Sequence, residues 1–205
     1  MRLIGMLDSP YVRRVAVSLA MIEVPFEHQA LSVFRDFDTF RAINPVVKAP
    51  TLVTDSGVVL MDSTLILEHV ERFASPVRRL TPDTAAEHAR CQRLVGLALA
   101  ACEKSVQIVY EYNLRPEDKR HQPWLDRVVM QMTAAFDTLE AELPPNGAWL
   151  FGGVPSQVEI SAAVAWTFTR NVCPVQLPAT QYSRLAALTV RAEALPAFAR
   201  WPFTV

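Results

Sequence analysis

The chain changes character near residue 80, and no other feature limits its fold as much. Before that point short β-like runs alternate with segments of helical period. Arg2 to Leu7 predicts a buried strand. Ser9-Pro10 then opens a helix in which Val12, Val15, Ala16, Leu19 and Ile22 recur at helical spacing. Pro25 breaks it, and Phe26 to Leu31 predicts a second strand. Phe34, Phe37 and Phe40 mark a short, irregular helix that Asn44-Pro45 ends. Thr51–Thr54 and Val58–Leu60 flank Asp55-Ser56-Gly57, a hairpin signal. Leu65, Ile66, His69, Val70 and Phe73 mark a third helix, so the order is βαβαββα. Strand–helix–strand implies a parallel pair, and the hairpin adds antiparallel strands, giving a small mixed sheet covered by helices. After residue 80 no convincing strand is legible. Asp83–Tyr112, Trp124–Leu143, a helix opened by Ser156 and stopped by Pro174 and Pro178, and Gln181–Leu195 all carry helical period. Pro144 to Gly147 predicts a loop, and Pro196 precedes a short tail. The expected division is an α/β domain over 1–75, a proline-containing linker over 76–83 and an all-α domain over 84–205.

Composition narrows the function. With 20 Lys+Arg against 21 Asp+Glu the formal net charge is -1, which gives no electrostatic reason to expect nucleic acid or an anionic membrane as partner. Hydrophobic residues make up 51% of the 205, enough for an ordinary core. Apolar stretches such as Leu97–Cys102 fall far short of the roughly 20 residues that cross a bilayer. The N-terminal apolar run is short for a secretory signal, and its basic residues follow that run. The three cysteines, Cys91, Cys102 and Cys173, show no paired spacing, which argues against a disulfide framework, a zinc site or dithiol redox chemistry. None of His28, His69, His88 and His121 has metal-ligand spacing; His69 falls on the apolar side of its helix. The expectation is a cytoplasmic protein without a metal.

Four segments carry a resemblance: Ser9-Pro-Tyr-Val-Arg-Arg-Val15, Asn44-Pro-Val-Val-Lys-Ala-Pro-Thr-Leu-Val53, Asp62-Ser-Thr64, and the run from Ser156 to Trp166. With the βαβαββα-then-helices layout, the chain resembles a cytosolic glutathione transferase of the serine type. Bacterial members, and the first-turn motif of the tau and zeta classes, are the nearest shapes. The resemblance implies a thioredoxin-like domain followed by an all-helical one. It also implies reduced glutathione as co-substrate, a small electrophile as second substrate, a homodimer and a detoxifying role. A mean hydropathy of +0.16 is consistent with apolar surface that an interface could cover.

Each residue of that site has a plainer reading beside it. Ser9 stands where strand hands over to helix, with Pro10 suited to the first helical position, so a cap is sufficient explanation. By resemblance its hydroxyl donates to the glutathione sulfur; Tyr11 is the rival, because other classes use a tyrosine. Arg14, five residues after Ser9, by resemblance helps hold the active-site turn, or else is a solvated helix charge; for Arg13 the solvated reading is at least as strong. Before the third strand, base rates favour a trans Ala49–Pro50 bond. Resemblance to the thioredoxin-like fold implies cis, with the Ala49 backbone pairing strand-like with the cysteinyl residue of glutathione. Lys48 then meets the glycyl carboxylate, and Val47 stands where the family shows glycine. Ser63 reads as the cap of the third helix and, with its neighbouring N–H groups, suits the γ-glutamyl carboxylate. Asp62 suits the ammonium, in place of the family's usual glutamate or glutamine. Ser156-x-x-Glu159 is a capping box with a structural role. By resemblance the electrophile pocket lies between the Ser9 turn and the first long helix of the second domain. Tyr11, Tyr110, Tyr112 and Trp166 are candidates to line it, against ordinary core packing.

Two alternatives remain at this level. One is a non-catalytic partner-binding protein on the same scaffold, like the relative that binds RNA polymerase under starvation. The other is a glutathione-dependent isomerase, although the zeta-like Ser-Ser-Cys turn is absent.

Overall fold

The computed structural model describes residues 1–145 and 148–204, and the chain divides into two compact units. The first takes Met1–Leu80 and the C-terminal residues from Leu195; the second takes Thr81–Ala194. This corrects the assignment of all of 84–205 to the helical domain.

In the first unit four short strands form one sheet in the order β2-β1-β3-β4. They are β1 (Arg2–Ile4), β2 (Glu27–Gln29), β3 (Thr51–Val53) and β4 (Val59–Met61). β1 pairs parallel with β2, Leu3 opposite His28, and antiparallel with β3, Leu3 opposite Leu52. β3 and β4 form the hairpin. The helices are α1 (Pro10–Met21), α2 (Phe37–Ile43) and α3 (Ser63–Glu71). Val12, Val15, Ala16 and Leu19 of α1 are fully buried, as their spacing requires. The three phenylalanines do not share that fate: Phe40 is buried, whereas Phe34 and Phe37 are exposed. Phe34 lies in the turn before α2 and not on it, and Phe37 opens the helix at its exposed end, so only Phe40 meets the core.

Pro196 opens a further short helix rather than a bare tail, α8 (Pro196–Arg200). It follows α4 (Ala85–Leu114), α5 (Gln122–Glu142), α6 (Gln157–Val172) and α7 (Ser183–Glu193) of the second unit. α8 packs on α1. Arg13 is therefore not solvated: it is 1% exposed, donates from Nε to the Trp201 carbonyl at 2.9 Å, and lies over the Phe198 ring. Two adjacent arginines on a helix read as a wet face, and only the returning C-terminal segment reverses that for Arg13.

Among its described residues the second unit contains helices and no strand. Asn146 and Gly147 of the expected Pro144–Gly147 loop lie outside the described residues. α4 starts at a Thr84 cap, and α5 carries Pro123 in its first turn, where no N–H is needed. The capping box forms: Ser156 caps α6 and Glu159 reaches back. Glu159 is fully buried. Its Oε1 accepts from the Leu150 N–H at 2.7 Å; its Oε2 accepts from the Ser156 N–H at 2.8 Å and the Ser156 hydroxyl at 2.6 Å. α7 has no cap of its own. Glu140 on α5 supplies one, accepting from the Arg184 and Leu185 N–H groups at 2.8 Å each.

Candidate functional site

Ser9 follows a turn closed by its own N–H on the Met6 carbonyl, and it caps α1. Its Oγ accepts from the Val12 N–H at 3.4 Å, a long bond. Among the described residues its hydroxyl proton goes to no acceptor, so the O–H is left to donate toward a group placed at the start of α1. Pro10 fills the first helical position and Tyr11 the next, half-buried. Sequence reasoning missed Asp8, directly before Ser9. Burial pushes its carboxyl above the usual range, against the pull of the Ser9 amide and the Arg35 charge.

Arg14 is 3% exposed. Its Nη1 donates to the Ser63 Oγ at 3.1 Å and the Thr64 Oγ1 at 3.2 Å, tying the second turn of α1 to the first turn of α3. That excludes the solvated reading for Arg14. The cap of α3 is a correction. Asp62, not Ser63, caps it: its φ of 71° swings the chain into the helix and its Oδ1 accepts from the Thr64 N–H at 2.9 Å. Ser63 is thereby the first helical residue, buried, with its hydroxyl oxygen facing Arg14.

The Ala49–Pro50 bond is cis. Among the described residues no hydrogen bond uses the Ala49 N–H or C=O, so this backbone edge is open to an extended peptide. Lys48 beside it is exposed. The loop is shaped by a residue the sequence marked only as a helix terminator. Asn44 is buried; its Nδ2 donates to the Thr51 Oγ1 at 2.8 Å and its Oδ1 accepts from the Val46 N–H at 3.1 Å. The Thr51 hydroxyl in turn donates to the Lys48 carbonyl at 2.7 Å. Val47 takes φ 52°, the left-handed conformation that the family's glycine would adopt without strain. The β-branched side chain bears the strain of that conformation.

Gly5 lies between these pieces. Its φ is +138°, and a Cβ there would stand 2.5 Å from a Val12 methyl and 3.1 Å from the Ala49 Cβ. Glycine at this position lets the Ser9 helix and the Ala49 loop approach the end of β1 together. A cavity of about 280 Å³ in the same unit, lined by Leu19, Glu23, Phe26 and Trp201 among others, does not include Ser9.

The aromatic candidates of the second unit separate. Trp166 is a correction: it is 4% exposed, with Phe136 edge-on at 5.3 Å and Tyr182 at 5.2 Å, and belongs to the core of the helical unit. Tyr110 and Tyr112 are exposed near the end of α4, with the Arg120 guanidinium 4.7 Å over the Tyr112 ring. His69 is half-buried, edge-on to Phe73 at 5.4 Å. The three cysteines are buried and none is in a disulfide among the described residues, and burial pushes the Cys173 thiol up. Among the described residues no cluster of His, Cys, Asp or Glu could hold a metal ion, and no helix is long and apolar enough to cross a membrane.

Comparison with known proteins bears on this geometry. Residues 3–77 match the family model for the glutathione S-transferase N-terminal domain and residues 122–201 that for the C-terminal domain. The uncharacterized GST-like protein YibF of Escherichia coli K12 is 25% identical over 174 residues, 85% of each chain. A glutathione S-transferase of Methylobacterium radiotolerans, solved with glutathione sulfonate, superposes with a TM-score of 0.90 at 27% identity, over 100% of this chain and 95% of that one. A glutathione transferase family member from Pseudomonas fluorescens Pf-5, solved with bound glutathione, gives 0.88 at 26% identity over 100% and 99%. With both halves matched in order, and the cis proline, the open Ala49 edge and the Ser9 cap in one unit, the chain belongs to the glutathione S-transferase family.

Proposed function

We propose that this chain is a glutathione transferase of the serine type: it binds reduced glutathione on its first unit, and Ser9 stabilises the thiolate that attacks a small electrophile. The observation that carries the reading is the Ser9 hydroxyl, whose oxygen is only loosely engaged and whose proton is uncommitted. A free cysteine thiol of pKa about 8.5 is a few per cent ionised at neutral pH; lowering it two units takes about 2.7 kcal/mol of preferential stabilisation of the anion. A hydroxyl donor together with the N-terminal end of α1 supplies effects of that order. The serine keeps its proton and donates it as a hydrogen bond to sulfur. The thiol proton passes to solvent, and the sulfur lone pair forms the new bond to the electrophile as a leaving group departs with the electron pair of the bond that breaks or, in an addition, as the π pair shifts onto the acceptor and takes a proton from solvent.

The remaining roles follow the chemistry of each position. The Ala49 backbone pairs with the cysteinyl residue and Lys48 meets the glycyl carboxylate. The Ser63 hydroxyl, its oxygen occupied by Arg14, donates its own proton to the γ-glutamyl carboxylate. Asp62 holds the ammonium with the oxygen that does not cap α3. Arg14 positions Ser63. Tyr11 and the exposed Tyr110 and Tyr112 are the candidates left for contact with the electrophile. The chain acts as a homodimer; Val59, Met61, Leu65 and Phe73, exposed on β4 and around α3, are apolar surface a second copy would cover.

The test is Ser9→Ala. Conjugation of a chromogenic electrophile should fall by about a hundredfold while calorimetry still detects glutathione binding. Undiminished turnover excludes Ser9 as the activating group. Absence of any binding heat in the unmodified protein at millimolar glutathione would instead favour a partner-binding role.

A further inference from the structure

The Ser9 turn hangs from the end of β1, and an unusual bond fixes that end. β1 and β2 run parallel, and the Gly5 N–H continues the ladder by donating to the Gln29 carbonyl at 3.1 Å. The next rung would take the Leu31 N–H to the Gly5 carbonyl. It does not form: the Leu31 N–H turns back to the Gln29 carbonyl at 3.0 Å. The Gly5 carbonyl is met instead by a side chain, the Nε2 of His28, at 2.8 Å. A carbonyl only accepts, so Nε2 carries the proton and the tautomer is set. Four residues later the chain reaches Ser9. Gly5 itself packs against Val12 of α1 and Ala49 of the cis-proline loop, so a shift of its peptide plane moves against both halves of the proposed thiol site.

The His28 ring is held in turn from the C-terminal segment. Trp201 stands edge-on to it, with ring centroids 5.5 Å apart and planes at 81°. Trp201 also meets Phe26, with ring centroids 5.0 Å apart and planes tilted by 32°, and its carbonyl accepts from the buried Arg13. The indole is thus anchored through both ring and backbone. Contacts run without a gap from residue 201 through His28 and Gly5 to the turn that presents Ser9.

Resting on the reading of Ser9 given above, we propose that His28 is a positioning residue for thiol activation, and that the C-terminal Trp201 holds it in place. His28 touches neither substrate in this scheme; it fixes the carbonyl from which the Ser9 turn departs.

His28→Phe removes the donor and keeps a ring against Trp201. His28→Gln puts an amide N–H near the position of Nε2. Trp201→Ala removes the support. The readout is ultraviolet titration of the bound glutathione thiol, with kcat and KM. In His28→Phe the bound thiol should titrate about one unit higher and kcat/KM at neutral pH should fall about tenfold, while glutathione affinity changes less than about threefold. Trp201→Ala should move the thiol the same way, and His28→Gln should restore the unmodified behaviour. Because the glutamine variant retains both bulk and donor, it carries the test even if the phenylalanine variant does not fold: a thiol less acidic in His28→Gln than in the unmodified chain overturns the proposal. So does a bound thiol in His28→Phe that titrates as in the unmodified chain, since a merely structural role would lower the melting temperature alone. If the unmodified chain does not acidify glutathione at all, the Ser9 reading fails and this inference with it; if it does and the His28→Phe thiol is unmoved, this inference alone fails.

Discussion

Glu159→Ala is the most demanding test of the helical unit. Glu159 is fully buried and accepts three hydrogen bonds, two from backbone N–H groups and one from the Ser156 hydroxyl. Truncation leaves the part-buried Leu150 N–H and the buried Ser156 N–H without an acceptor, at about 1–3 kcal/mol each. The Ser156 hydroxyl keeps its role as acceptor from the Val158 N–H at 3.2 Å but loses a charge-assisted partner. The sum is a loss of about 3–5 kcal/mol, a large share of the 5–15 kcal/mol that holds a typical native protein. Ser156→Ala should cost less, about 1–2 kcal/mol, the usual range for a helix cap. The two losses should not add, because the variants share one bond. Urea unfolding followed by far-ultraviolet circular dichroism and tryptophan fluorescence measures both. A Glu159→Ala loss below about 1 kcal/mol would mean that solvent reaches those N–H groups and that the box contributes no more than an exposed cap.

Other outcomes follow from single residues. Val47→Gly should raise stability by about 0.5 kcal/mol, the relief of a left-handed β-branched residue less the added freedom of the unfolded chain, and a loss above about 1 kcal/mol in thermal melts would contradict the strain. Arg14→Met should cost about 2–3 kcal/mol and weaken glutathione binding measured by calorimetry; unchanged affinity would show that Arg14 does not position Ser63. Asp8→Asn should stabilise the protein at neutral pH. The folded carboxyl titrates above its unfolded value of 3.8, so the native state binds more protons between the two and stability falls as pH rises through that window. The advantage of the asparagine variant should therefore vanish below the unfolded value, and a difference that does not vary with pH would rule out burial as its cause.

Much of this architecture was legible because punctuation and period agree locally. Ser9-Pro10 starts α1, Asn44-Pro45 ends α2, and Ser156 with Glu159 caps α6, each within a few residues of chain. What escaped depends on contacts distant in sequence. Arg13 is buried because residue 201 returns to it, a separation of 188 positions. Asn44 reads as a stop signal until Thr51 is brought beside it. Asp62 displaced Ser63 as the cap because it accepts a positive φ, which no apolar pattern announces. Trp166 carries an aromatic ring at a spacing that fits a pocket or a core equally well, and its packing on Phe136 and Tyr182 settles it as core. Val47 shows the converse. The sequence lacks the expected glycine, yet the bonds from Asn44 hold the loop in the glycine-like shape.

Catalysis by this site turns on whether residue 9 keeps a bound sulfur charged. Ultraviolet difference titration of the unmodified protein with saturating glutathione, beside Ser9→Ala, reads this directly. Thiolate absorbance should already be present near neutral pH, its midpoint about two units below the free thiol, and should return to the free value in the alanine variant with glutathione still bound. A bound thiol that titrates alike in both proteins would contradict it.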